Sequence, residues 1–101
     1  MREINELIGQ IQAALEALLK VKASGDKVRV NVLSSEILGH AIRLPELFQK
    51  QKRPDMALSD EMELLRVERD AAFLIMRCFG HMTAVRQQSM GAIFQKLLVH
   101  I

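Results

Sequence analysis

The sequence predicts an all-α fold: an antiparallel bundle of four helices, five if a short one restarts after Pro45, in one domain spanning residues 1–101. Three observations carry this. Apolar residues recur at spacings of three and four along most of the chain. The core palette is Leu, Ile, Val, Ala and Met, with four Phe and no Trp or Tyr, which suits helix-on-helix packing better than a β-sandwich. Turn-forming stretches, Ser24-Gly25-Asp26, Lys50 to Asp55 and Gly80, fall between the periodic segments.

Ile4, Ile8, Ile11, Leu15 and Leu18 form one stripe of a first helix, with acids early and lysines late, as the helix dipole favours. Gly25 is a natural left-handed cap, and Asp26 a natural N-cap for the next element. Lys27 to Val32 alternates with period two, as a strand does, yet no second strand candidate exists to pair with it. The helical spacing of Val30, Leu33, Ile37, Ala41 and Leu44 favours a helix from about Asp26 to Leu44, with a start at Ser34 or Ser35 as the fallback. Leu44 precedes Pro45 and is expected to leave the helical region; Pro45 then opens a continuation from Glu46 to Gln51.

Beyond the basic linker around Pro54, Asp60 is the expected N-cap of a third helix, with Glu63 completing a capping box. This helix carries two stripes. Met62, Leu65, Arg69, Ala72, Met76 and Phe79 form one; Leu64, Val67, Ala71, Leu74 and Cys78 form the other. Two stripes imply two packing partners and a central position. Gly80 caps its end and Thr83 opens a fourth helix, whose apolar face is Met90, Ile93, Phe94, Leu97, Leu98 and Ile101.

The composition excludes several roles. One cysteine, Cys78, rules out an internal disulfide, and a reducing, cytoplasmic setting is the expectation. The start of the chain has no signal-peptide core. The apolar run Ala71 to Met82, interrupted by Arg77 and Gly80, is far short of the roughly 20 residues a membrane span needs. The expectation is a soluble protein without a membrane partner.

Chemistry is equally sparse. His40, His81 and His100 stand far apart, and Cys78 with His81 gives two ligands at most, so no metal or cofactor is expected. No glycine-rich phosphate loop or nucleophile elbow occurs. The acid pairs Glu61 with Glu63 and Glu68 with Asp70 are two apart, point to different sides of a helix and read as solvated charge. The expectation is a non-enzyme with no evident small-molecule substrate.

Charge is unevenly placed. All twelve acidic side chains lie at or before Asp70, against eleven of the fourteen basic ones, a formal −1; the last thirty-one residues hold Arg77, Arg86 and Lys96 alone, a formal +3. Arg77 has no acid one turn away and is expected to meet Glu3, Glu36 or Glu46 inside the bundle. Arg69, within an apolar stripe, either sets helix register or marks where that stripe reaches the surface.

The fourth helix has a polar, nearly uncharged, small-residue face, and depletion of charge marks interface cores. Arg86, Gln87, Gln88, Gly91, Ala92, Gln95 and Lys96 are therefore the candidate partner-binding residues. The resulting expectation is a protein–protein interaction module, a regulator, inhibitor or assembly adaptor acting on a macromolecular partner as a homodimer. The alternative is a DNA-binding transcriptional regulator. The segment from Gly80 to Ser89 has a helix-turn-helix-like layout in which Arg86, Gln87 and Gln88 would read bases, with phosphate contacts from Lys50, Lys52 and Arg53. Position 76 is Met where a small residue is usual, and Arg86 stands where an apolar residue is expected.

Overall fold

The structure is a computed structural model that describes residues 1–98, and in them it is all-α with no strand. Four helices pack against one another: α1 (Arg2–Ser24), α2 (Lys27–Gln51), α3 (Leu58–Phe79) and α4 (Ala84–Leu98). Ile101, expected on the apolar face of α4, and His100 lie outside the described residues.

α1 buries its predicted stripe, with Ile4, Leu7, Ile11, Leu15 and Leu18 against the core. Gly25 ends it with φ 79°, in the left-handed region, and its N–H donates to Val21 O and Lys22 O. Asp26 caps α2 by accepting a hydrogen bond from Arg29 N at 3.1 Å. The period-two segment is helical: Val28 and Val32 face solvent while Leu33 is buried.

α2 is one helix of 25 residues running through Pro45, so neither a break at Leu44 nor a fifth helix forms. Pro45 cannot donate to the carbonyl four residues back. Leu44 and Phe48 on either side of it are both fully buried, and their burial holds the helical path.

α3 starts earlier than expected. Ala57 occupies the N-cap without a side-chain bond, and Asp60 falls in the first turn. Glu63 does not form a capping box; it accepts from Arg66, which also donates to Asp70 at 3.0 Å. Hydrogen bonding to Arg66 holds the Glu63 carboxyl below its usual range. Gly80 follows α3 in a right-handed conformation, φ −62°, so the turn does not depend on glycine's left-handed freedom. The last carbonyls of α3 accept from the backbone of the turn, His81 N–H to Cys78 O at 3.0 Å and Met82 N–H to Phe79 O at 3.2 Å, and Gln87 Nε2 also donates to Phe79 O at 3.1 Å.

The packing order corrects the expectation that α3 is central. α1 pairs with α2, α3 pairs with α4, and α2 also lies along α4; α1 and α3 barely meet. α2 thus makes the most extensive contacts with the other helices. The principal extents are 50 × 23 × 16 Å. The thin direction has room for two helices at the usual axis spacing of about 8–10 Å and for no third layer. In a two-layer molecule α3 covers one of its two apolar stripes fully and the other only in part.

Candidate interaction surfaces

The stripe of α3 that packs inward is Leu64, Val67, Ala71, Leu74 and Cys78, together with Ala72, Ile75 and Glu68. The other predicted stripe divides: Ala72 is buried and Phe79 packs half-buried against the core, while Met62, Leu65 and Met76 face outward, joined on that face by Leu58 and Phe73. Leu58, Met62 and Phe73 are 72, 62 and 63 % exposed, Met76 47 % and Leu65 40 %. Arg69 sits exposed in the middle of this seam. It marks where the stripe meets solvent, not a buried register point.

The free charges on this helix are segregated. The Glu63–Arg66–Asp70 cluster pairs internally. Among the described residues, Asp60 and Glu61 near the start have no ion pair, nor do Arg69 and Arg77 farther along. Arg77 therefore does not meet Glu3, Glu36 or Glu46. It is exposed and shares a shallow cleft with Gln12 and Glu16 of α1.

The candidate face on α4 divides. Gln88, Ala92, Gln95 and Lys96 are exposed. The other three members face the protein. Arg86 Nη2 donates to Asn31 Oδ1 at 2.7 Å and to Ser35 Oγ at 2.8 Å, tying α4 to α2. Gln87 is engaged on Phe79 O. A Cβ at Gly91 would meet the Phe79 ring at 3.9 Å. Two of the three expected base-reading side chains are thus occupied within the fold.

The basic linker is also drawn inward. Lys50 pairs with Glu46 at 3.6 Å. Lys52 Nζ lies 3.2 Å from Glu68 Oε1, and Glu68 is fully buried, not solvated. Arg53 is exposed. This linker stands at one end of α2, while Arg86 meets Asn31 and Ser35 near the other. The intervening 17 to 21 residues of helix span roughly 25–30 Å, so the structure does not bring the predicted phosphate contacts together with the predicted reading residues.

Sequence reasoning missed Glu68, although a signal existed. Leu64, Glu68, Ala71 and Ile75 follow the same four-three-four spacing, which places Glu68 inside the core stripe. Cys78 is buried, and burial pushes its thiol up to about 11, with Arg77 pulling weakly the other way. His81 is half-buried, and its Nδ1 faces Lys22 Nζ at 3.3 Å. Among the described residues no three His, Cys, Asp or Glu side chains converge, and no helix is long and apolar enough to cross a membrane. No protein family, no curated protein and no solved structure matches the chain.

Proposed function

We propose that this chain is a protein–protein interaction module whose contact surface is the outward seam of α3, and that a second copy of the chain covers it. The observation that carries the reading is the exposure of Leu58, Met62, Leu65, Phe73 and Met76 along one helix face. A continuous apolar stripe at helical spacing, rather than scattered single residues, marks an association surface.

Charge supports a second, antiparallel copy as the occupant. With acids near the start of α3 and free arginines farther along, a parallel pairing would set like against like. An antiparallel pairing sets unlike charges together and satisfies two-fold symmetry, in which one patch serves both subunits. With the axis near Val67, Leu58 faces Met76 of the second copy and Met62 faces Phe73. Arg69 then lies beside Leu65, one turn from Glu61.

The exposed fractions of the five seam residues add to roughly three whole side chains, worth about 4–9 kcal/mol per protomer when covered. Association itself costs about 4–15 kcal/mol. With the seams of both protomers covered, the balance supports a dimer with a dissociation constant in the micromolar range. Such a module acts by occupying surfaces and requires no catalytic group, and its reversible dimer can exchange its own copy for a competing partner helix.

Charge reversal tests the arrangement. Arg69→Glu alone should weaken self-association at least tenfold, while Arg69→Glu combined with Glu61→Arg restores it. Gln88→Glu with Gln95→Glu on α4 should leave it unchanged. Loss of self-association in the α4 variant, with none in Arg69→Glu, would move the interface to α4 and overturn the α3 assignment.

A further inference from the structure

Where α1 hands over to α2, the turn between α3 and α4 folds against the same corner, and a surface cavity of about 450 Å³ opens between them. Its wall carries Lys22, Lys27 and Arg86, and no Asp or Glu lines it. None of these three cations has an ion pair among the described residues. The nearest acid in sequence, Asp26, is engaged on the backbone N–H of Arg29.

Arg86 is held in place before any ligand arrives. Its Nη2 is fixed by Asn31 and Ser35, both neutral acceptors, while Nε and Nη1 have no partner among the described residues. A half-buried guanidinium without a counter-charge is costly to hold, and its free edge is a two-pronged donor suited to an oxyanion.

Ser34, 3 % exposed, also lines this cavity and can offer its hydroxyl to a ligand there. The last carbonyls of α1 and α3, which also reach this corner, are already satisfied by Gly25 N–H and by Gln87 Nε2.

We propose that this cavity binds a small organic phosphate monoester. Three cations with no acid match a dianion better than a single carboxylate. Tetrahedral oxygens can take Arg86, a lysine and the Ser34 hydroxyl at once. The volume is at the small end of the range for small-molecule sites, about 300–1,000 Å³, and far exceeds a bare phosphate. The remainder lies against Val30 and the aliphatic stem of Lys27, where an organic group belongs. The site does not depend on the α3 seam.

The test is a titration of the full chain at low ionic strength, followed by amide NMR shifts, with phenyl phosphate, inorganic phosphate and benzoate as probes. Phenyl phosphate should saturate in the millimolar range or tighter, with shifts confined to residues 22–35 and 80–87. Benzoate and inorganic phosphate should each bind at least fivefold more weakly. Lys22→Gln with Lys27→Gln, both at exposed positions, should lower phenyl phosphate affinity at least tenfold without changing the melting temperature. Ser34→Ala should weaken it severalfold. Non-saturating shifts, shifts spread over all lysines, or a double variant that binds like the parent would overturn the site. Equal binding of inorganic and phenyl phosphate would overturn the assignment of an organic ligand.

Discussion

Removing Lys52 tests how the α2–α3 connection is anchored. Its ammonium lies 3.2 Å from a carboxylate oxygen of Glu68, with the lysine side chain 27 % exposed and the carboxylate wholly buried. At an effective dielectric near 20, opposite charges at this distance attract by about 5 kcal/mol. That attraction offsets the cost of taking Glu68 out of water. Deleting one partner of a buried pair generally costs about 3–5 kcal/mol. The partial exposure of Lys52, and the cleft of about 210 Å³ beside the pair, let water reach it and favour the lower end. Lys52→Met should therefore lose about 3 kcal/mol, which lowers the urea midpoint by about 1 M or more. The assay is urea unfolding followed by far-ultraviolet circular dichroism. The double variant Lys52→Met with Glu68→Leu removes the buried charge as well as its partner, and should recover to within about 1 kcal/mol of the parent. A single variant that loses less than about 1 kcal/mol, or a double variant as unstable as the single, would refute the view that this pair secures the linker.

Other outcomes follow from the same geometry. Gly25→Ala forces an L-residue to φ 79° with no neighbour for its Cβ within 4 Å, so it should cost about 1–2 kcal/mol from backbone conformation alone. Asp26→Ala removes the side-chain cap at the start of α2 and should cost about 1 kcal/mol by thermal or urea unfolding. The Cys78 thiol, neutral in the native protein up to about pH 11, should react slowly with iodoacetamide at pH 8 until denaturant is added. In the unfolded chain it loses its proton near the ordinary value of about 8.5. Its contribution to stability is therefore intact below that pH and is lost as pH rises toward 11, at up to about 1.4 kcal/mol per unit. Unfolding measured against Cys78→Ala across this range should show the parent losing stability faster.

Much of the fold was legible because local signals agreed. The α1 stripe, the left-handed Gly25 and the Asp26 cap all lie within a few residues of sequence and needed no tertiary information. The helix runs on through Pro45 because the burial of Leu44 and Phe48, which no local signal reports, overrides the proline's local cost. The capping box failed for a similar reason: Arg66 offers Glu63 a stronger, charge-assisted partner than the backbone N–H does. The two stripes of α3 were read correctly as apolar, but periodicity does not say how many layers a domain has. The exposure of Met62, Leu65 and Met76 beside the burial of Ala72 shows that the second stripe is covered only in part. The α4 face was legible in part. Its small, uncharged character has two sources, exposure at Gln88 and Ala92 and close internal contact at Gly91 and Gln87. The cationic cavity draws on α1, α2, α4 and the turn before α4, so no linear motif announces it.

The central claim is that the α3 seam is covered by a second copy of the chain. Sedimentation equilibrium across about 5 to 500 µM tests it most directly, since this range brackets the affinity worked out from the exposed seam. The weight-average mass should rise from 11.5 kDa toward twice that value with concentration, and Phe73→Ser with Leu65→Ser should hold at the monomer throughout. A parent chain that stays at 11.5 kDa at every concentration would contradict it.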